Sequence, residues 1–245
     1  MNAVLGALLR RELASYFATP VAWVFVIIFL VLSGVCTFYV GGFFERGQAD
    51  LLPFFDFHPW LHLILVSAIA MRLWADERRT GTLELLLTLP VRLRDAVVAK
   101  FLAGWIVIGA ALALTFPIWW TVNYLGDPDN GVIAASYLGS WLLAGAFLAI
   151  GGCMSAAAGS QVVAFILTAS LCFLYVMLGA PFLLEAFDGW LPPLLIRTIG
   201  ALGALGHYEA LSRGLLEFRD LAYFAVTIAG WLLATCIVIE LRKVG

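Results

Sequence analysis

Residues 130–184 read NGVIAASYLGSWLLAGAFLAIGGCMSAAAGSQVVAFILTASLCFLYVMLGAPFLL, 55 consecutive positions without Asp, Glu, Lys or Arg. A membrane-crossing helix needs about 20 mostly apolar residues. The stretch is too long for one such helix and suits two joined by a tight turn. Gly159-Ser160-Gln161, the one local polar and glycine cluster, is the place for that turn. Other uncharged runs extend the pattern: Leu13–Phe44, Phe57–Met71, Phe101–Gly126 and Leu221–Ile239. The sequence therefore predicts six transmembrane helices, near 20–41, 58–75, 96–123, 135–158, 162–184 and 221–241, in one all-α domain over 1–245.

The whole chain agrees with this. Of its 245 residues 63% are apolar and 12% charged, against about half and a quarter in a soluble domain. This excludes a soluble globular enzyme and a disordered chain. The net charge of −2 gives no basic excess for nucleic acid. Cys36, Cys153, Cys172 and Cys236 lie in apolar runs without C-x-x-C spacing and read as buried small hydrophobes. Charge asymmetry sets the orientation. With the N-terminus inside, ten of the fourteen basic residues fall on the cytoplasmic side, which predicts both termini in the cytoplasm. Trp119, Trp120 and Trp190 fall near predicted outer span ends, and Trp23 and Trp74 near inner ends.

Three segments lie outside the spans. In residues 1–19, Leu5, Leu8, Leu9, Leu13, Tyr16 and Phe17 recur at helical spacing opposite Arg10, Arg11 and Ser15. This predicts an amphipathic helix along the inner membrane surface, either a lipid anchor or a docking surface. Thr19-Pro20 then suits the N-cap and first turn of span one. The loop 76–95 opens with a charged cluster, after which Gly81 breaks the helix. Thr80 or Thr82 can cap a short new helix with Glu84 in its first turn, Leu85, Leu86 and Leu89 on its apolar face and Pro90 at its end. Asp95 offers an N-cap for span three. Such a stiff helix suits force transmission, and a passive charged loop is the alternative. The third segment, 185–220, is too apolar for an ordinary loop and too interrupted to span. Leu194–Leu205 is broken by Arg197, Gly200 and Gly203, and His207–Arg213 can form a further helix closed by Gly214. Apolar non-spanning backbone at membrane depth packs on protein or lines a cavity, so a re-entrant helix pair is expected.

Several chemistries lack their residues. The two lysines follow Ala99 and Arg242, so no Gly-Lys-[Ser/Thr] phosphate loop exists. Neither H-E-x-x-H nor G-x-S-x-G occurs. His58 and His62 are four apart, but no third metal ligand is evident. Arg72, Lys100 and Glu240 lie toward span ends, where long side chains can snorkel. Span centres lack the acidic and basic groups of ion-coupled carriers. Movement of a cargo would thus draw energy from another chain.

Three ordered motifs bear a resemblance. Asp76-Glu77-Arg78-Arg79-Thr80-Gly81-Thr82-Leu83-Glu84-Leu85-Leu86, then Pro90 and Lys100-Phe101, looks like the E-x-x-x-G-T-x-E-x-L-L…P…K-F pattern of ABC-2-type transporter permeases, in particular the GldF-like ones. Gly151, Ser155, Gln161 and Ala164 form a second match. The third is His207-Tyr208-Glu209, Arg213-Gly214, Arg219-Asp220 and Tyr223-Phe224. The resemblance implies a permease subunit of an inner-membrane exporter, with no catalysis or cofactor of its own. ATP and Mg would be held by two separate ATPase subunits, and a second permease copy or paralogue would complete the complex. It implies ATPase contact through the N-terminal helix and through Glu77, Arg78, Arg79, Gly81, Thr82, Glu84, Leu85, Leu86, Pro90 and Arg92. It implies an outer re-entrant segment carrying Arg197, His207, Glu209, Arg213 and Gly214. Small residues at Gly145, Gly151, Gly152, Ala156 and Gly159 would let spans four and five pack closely. The alternative function is a membrane scaffold whose ATPase does mechanical work without net transport.

Overall fold

The computed structural model describes residues 3–18, 20–79, 81, 92–186 and 192–242, and among these all regular structure is helical. The proposed short helix at Thr82–Leu89 lies outside the described residues, so Thr82, Glu84, Leu85, Leu86 and Pro90 do too, as does Trp190.

The helices follow the apolar runs. They are α1 (Ala3–Ala18), α2 (Pro20–Val35, prolonged by a π-helical turn, Cys36–Val40), α3 (Leu52–Asp56), α4 (His58–Ala70) and α5 (Arg72–Arg79). Then come α6 (Leu93–Ala113), α7 (Phe116–Leu125), α8 (Asn130–Ala157) and α9 (Gln161–Met177). The chain ends with α10 (Pro181–Ala186), α11 (Pro193–Leu202), α12 (Ala204–Ser212) and α13 (Phe218–Leu241). Among the described residues four stretches are long and apolar enough to cross a membrane unaided: Ala22–Val40, Leu93–Leu125, Asn130–Ala157 and Phe218–Leu241. The predicted spans at 58–75 and 162–184 correspond to α4 and α9, of 13 and 17 residues.

Helix α8 is the axis of the bundle. Its Leu143, Ala144, Ala146, Phe147, Leu148, Ala149 and Ile150 are all buried, and α4, α5, α6, α9, α12 and α13 pack around it. The helix starts under the Asp129 side chain, whose Oδ1 accepts from the Gly131 and Val132 amides. It stops at Ala158, and after the predicted turn Ser160 caps α9 by accepting from Val163 N at 3.3 Å.

The small residues of α8 act differently from the expectation of mutual packing between spans four and five. Gly145 lies under Trp105 of α6, and Gly109 of α6 lies under Trp141 of α8. The two indoles stack at 4.1 Å, and each donates from Nε1 to the other's carbonyl, at 2.9 and 3.2 Å. Two W-x-x-x-G runs on adjacent helices thus form a reciprocal lock, each ring filling the space its partner's glycine leaves. Of these glycines Gly151 bridges toward α9, between Ala70 and Thr168, while a Cβ at Gly159 would meet nothing within 4 Å.

Two breaks in the long apolar runs have local causes. Pro117 lacks an N–H for the Ala113 carbonyl, and the 33-residue stretch Leu93–Leu125 divides into α6 and α7 there. Met71 separates α4 from α5, where the Ser155 hydroxyl enters the backbone ladder.

Several expectations need correction. Asp95 sits in the first turn of α6, and Arg92 holds its N-cap position. The 194–205 run is not broken at Arg197 or Gly200; α11 passes through both and stops at Gly203. Trp74 is buried under Lys100 rather than placed at a lipid interface. Helix α1 packs along α6, with Leu5, Leu8, Leu9, Glu12, Leu13 and Tyr16 turned inward. Phe17 is exposed and rests on Trp23 at 5.7 Å.

Candidate functional site

The described part of the first motif brings Glu77 and Lys100 together at the end of the bundle predicted to be cytoplasmic. Lys100, 6% exposed, places its Nζ 2.8 Å from Glu77 and 3.1 Å from Glu12, above the Trp74 ring. Arg11 approaches the same carboxylates, 3.0 Å from Glu12 and 3.9 Å from Glu77. Buried Lys100 thus meets two largely buried carboxylates, and Arg11 adds a second cation from the exposed rim. The cluster ties three elements that the sequence separates: α1 through Arg11 and Glu12, α5 through Glu77, and α6 through Lys100. A cleft of 190 Å³ opens beside it, lined also by Tyr16, Arg72 and Asp76. Burial, then the Glu12 carboxylate, push the Tyr16 phenol above its usual range, so Tyr16 stays neutral there.

Lys100 therefore does not snorkel to an interface. Taking a lysine out of water is costly unless opposite charge meets it, and here two carboxylates do. The signal that could have found this was in the motif itself, whose Glu77 and Lys100 are the pair in contact. Glu12 had no such signal, because it stands on the same face as the apolar positions of α1.

The second motif secures the same region. Ser155 donates to the Met71 carbonyl at 2.9 Å and accepts from the Trp74 and Ala75 amides, both at 3.1 Å. It thus holds the first turn of α5 from across the bundle. Gln161 donates to Asp76, which also pairs with Arg72 at 3.0 Å. Ala164 is fully buried against Ala75 and Ala158. Arg78 donates to the Ala158 carbonyl at 3.2 Å, and Arg242 donates to that of Ala157. Both arginines thus neutralise the negative end of α8. Burial, and next the nearby Arg242, lower the Arg78 pKa, though a guanidinium keeps its charge.

Of the residues expected to meet an ATPase, Glu77 is turned into the ion cluster and Arg78 onto α8, whereas Arg79 and Arg92 are exposed. Gly81 has φ +70°, and its amide donates to the Arg78 carbonyl at 3.2 Å, which ends α5 as expected. Ser155→Ala is expected to destabilise the protein by about 1–3 kcal/mol, because two amides and a carbonyl lose a buried partner. An unchanged thermal midpoint in detergent would show that the serine does not hold α5.

The third motif closes the opposite end. His207 meets Asp220 at 2.6 Å, Tyr208 donates to the Phe55 carbonyl at 2.7 Å, and Gly214 takes φ +81° after α12. Glu209 and Arg213 pair loosely at 3.5 Å on the surface, and Arg197 is exposed on α11. No residue of α11 is buried, and its Leu194, Leu195 and Leu202 face outward. His58 and His62 share one partner, the Ser140 hydroxyl, at 2.8 Å each. Among the described residues no group of three His, Cys, Asp or Glu side chains could hold a metal.

Comparison with known proteins gives a family for the chain. Residues 51–193 match the family described as ABC-2 family transporter protein. A stretch of 80 residues, 32% of this chain, is 35% identical to heme exporter protein B of Paracoccus denitrificans and spans 37% of that protein's length.

Proposed function

The chain belongs to the ABC-2 family of transporter proteins, and on that premise we propose that it is the membrane permease subunit of an ATP-driven exporter of the GldF-like kind. Such a subunit is a multi-pass transport protein that does no bond chemistry itself. Its task is the coupling. Two ATPase subunits, holding ATP and Mg, dock beneath this chain and a second permease copy or paralogue. The complex sits in the inner membrane with both termini of this chain in the cytoplasm. Helices α4 and α9 complete six spans, aided by their extensions α5 and α10. Export is favoured as the direction by the name of the relative that shares 35% identity.

One observation carries the coupling: the Lys100 cluster fastens α5, which leads into the loop 76–95, to α1 and to the first turns of span three. Closure of an ATPase dimer on ATP would displace the loop. The cluster would pass that displacement to α6 as a rigid-body tilt, because its charges cannot separate cheaply. Exposed Arg79 and Arg92 frame the loop, with Thr82, Glu84, Leu85, Leu86 and Pro90 between them. Charged rim residues set encounter and orientation, and the leucines supply buried area.

Glu84→Lys tests this reading. The residue lies outside the spans, so insertion should be unaffected. Charge reversal is expected to weaken ATPase docking, and Gly81→Pro to uncouple hydrolysis by changing how the loop leaves α5. Co-purification and ATP hydrolysis are the measurements. Wild-type values for both variants would make the loop a passive connection.

A further inference from the structure

At the end of the bundle opposite Lys100, the imidazole of His207 is 8% exposed and has both nitrogens engaged. Nδ1 lies 2.6 Å from Asp220 Oδ1, and Nε2 lies 3.1 Å from the Ala201 carbonyl oxygen. A carbonyl oxygen only accepts, and so does an ionised carboxylate. Arg219 stands 3.8 Å from the same Asp220 oxygen as a countercharge. A neutral imidazole has one N–H and can serve only one of these acceptors. Serving both takes a proton on each nitrogen. The flat face of the ring stacks on Tyr223 at 3.9 Å, a geometry that favours a cation.

The three partners belong to three elements. Ala201 ends α11, His207 lies on α12, and Asp220 and Tyr223 begin α13. Tyr223 adds a second tie by donating to the Leu202 carbonyl at 2.5 Å. Behind it, Tyr175 of α9 stacks on Tyr223 at 6.2 Å. The charged and titratable groups facing His207 among the described residues are thus Asp220, Arg219 and Tyr223, with Tyr175 one ring further. None of the residues of α11 is fully buried. A groove of 680 Å³ runs past the junction, lined by Gly200, Ala201, His207, Arg219, Tyr223 and Val226, among others.

We infer that His207 is a doubly protonated imidazolium that bolts the α11–α12 elbow to the head of α13, and that loss of its proton releases α11 and opens the groove. The sign follows from the contacts. With the proton, both acceptors are served. Without it, one ring nitrogen presents a lone pair to an acceptor, and the weakly held partner, the Ala201 carbonyl on α11, is the one that moves. The bolt therefore holds while both ring nitrogens carry a proton and lets go when one is lost. This is independent of whether an ATPase docks at the other end.

The test uses the full chain in lipid. With ¹⁵N-labelled histidine, His207 is identified as the signal missing in His207→Gln, and its two ring nitrogens report the protonation state directly. In parallel, a nitroxide is placed at Leu202→Cys in a chain whose four native cysteines are replaced by alanine. The label is expected to be immobile whenever the doubly protonated His207 signal is present and mobile whenever it is absent. The label in His207→Gln is expected to be mobile at every pH. A neutral His207 beside an immobile label overturns the inference, and so does a label whose mobility ignores the loss of the proton. If His207→Gln fails to fold, the wild-type pair of measurements still decides, with the signal then assigned by His58→Gln and His62→Gln.

Discussion

Lys100→Met is expected to lower stability by about 3–5 kcal/mol, the usual effect of removing one partner from a buried ion pair. Lys100 is nearer to Glu77, at 2.8 Å, than to Glu12, at 3.1 Å, and Arg11 is nearer to Glu12 than to Glu77. Glu77 is therefore expected to carry the larger share of the loss. Adding Glu77→Gln to Lys100→Met should recover part of it, because the carboxylate nearest the lost ammonium is then neutral. Thermal unfolding in detergent, followed through the tryptophans, measures both steps. A single variant as stable as the wild type, or a double variant less stable than the single one, would mean that the cluster does not hold α1, α5 and α6 together.

The second large effect is expected from one methyl group. Gly203 separates α11 from α12, and a Cβ there would lie 2.1 Å from the Gly179 nitrogen and 2.4 Å from its Cα. Backbone faces backbone, so no side chain can turn aside. Gly203→Ala should force the elbow off the turn that follows α9, at about 3 kcal/mol or more, the upper range for overpacking. Gly206, three positions on within α12, meets nothing within 4 Å. Gly206→Ala should be neutral or stabilising by up to about 1 kcal/mol, through helix propensity. Equal effects from the two alanines would show that helix propensity alone, and not the approach to Gly179, governs the elbow.

The helices were legible because lipid imposes a simple requirement: uncharged length. The 55-residue run divided at Gly159-Ser160-Gln161, where Ser160 caps α9. Gly81 and Gly214 were found as helix ends because positive φ selects glycine. Length alone could not show how α4 is interrupted. Met71 resembles its neighbours, and the break is made by Ser155, 84 positions later. The same limit applied to the candidate site. Motif order along the chain named Glu77, Lys100, Ser155, Gln161, His207 and Asp220 separately. Only the packing showed that the first motif meets the second at one end while the third closes the other. Glu12 was hidden for a different reason, since a carboxylate on an apolar face reads as an exception until its lysine is placed against it.

The proposal that energy enters from separate subunits is tested most directly by the mass of the intact complex, isolated from its native membrane through a tag on this chain. The expected result is two permease chains with two copies of a protein carrying a Gly-Lys-[Ser/Thr] phosphate loop, and ATP hydrolysis that vanishes when that lysine is replaced. Recovery of this chain without any nucleotide-hydrolysing partner, in a preparation that still moves its cargo, would contradict it.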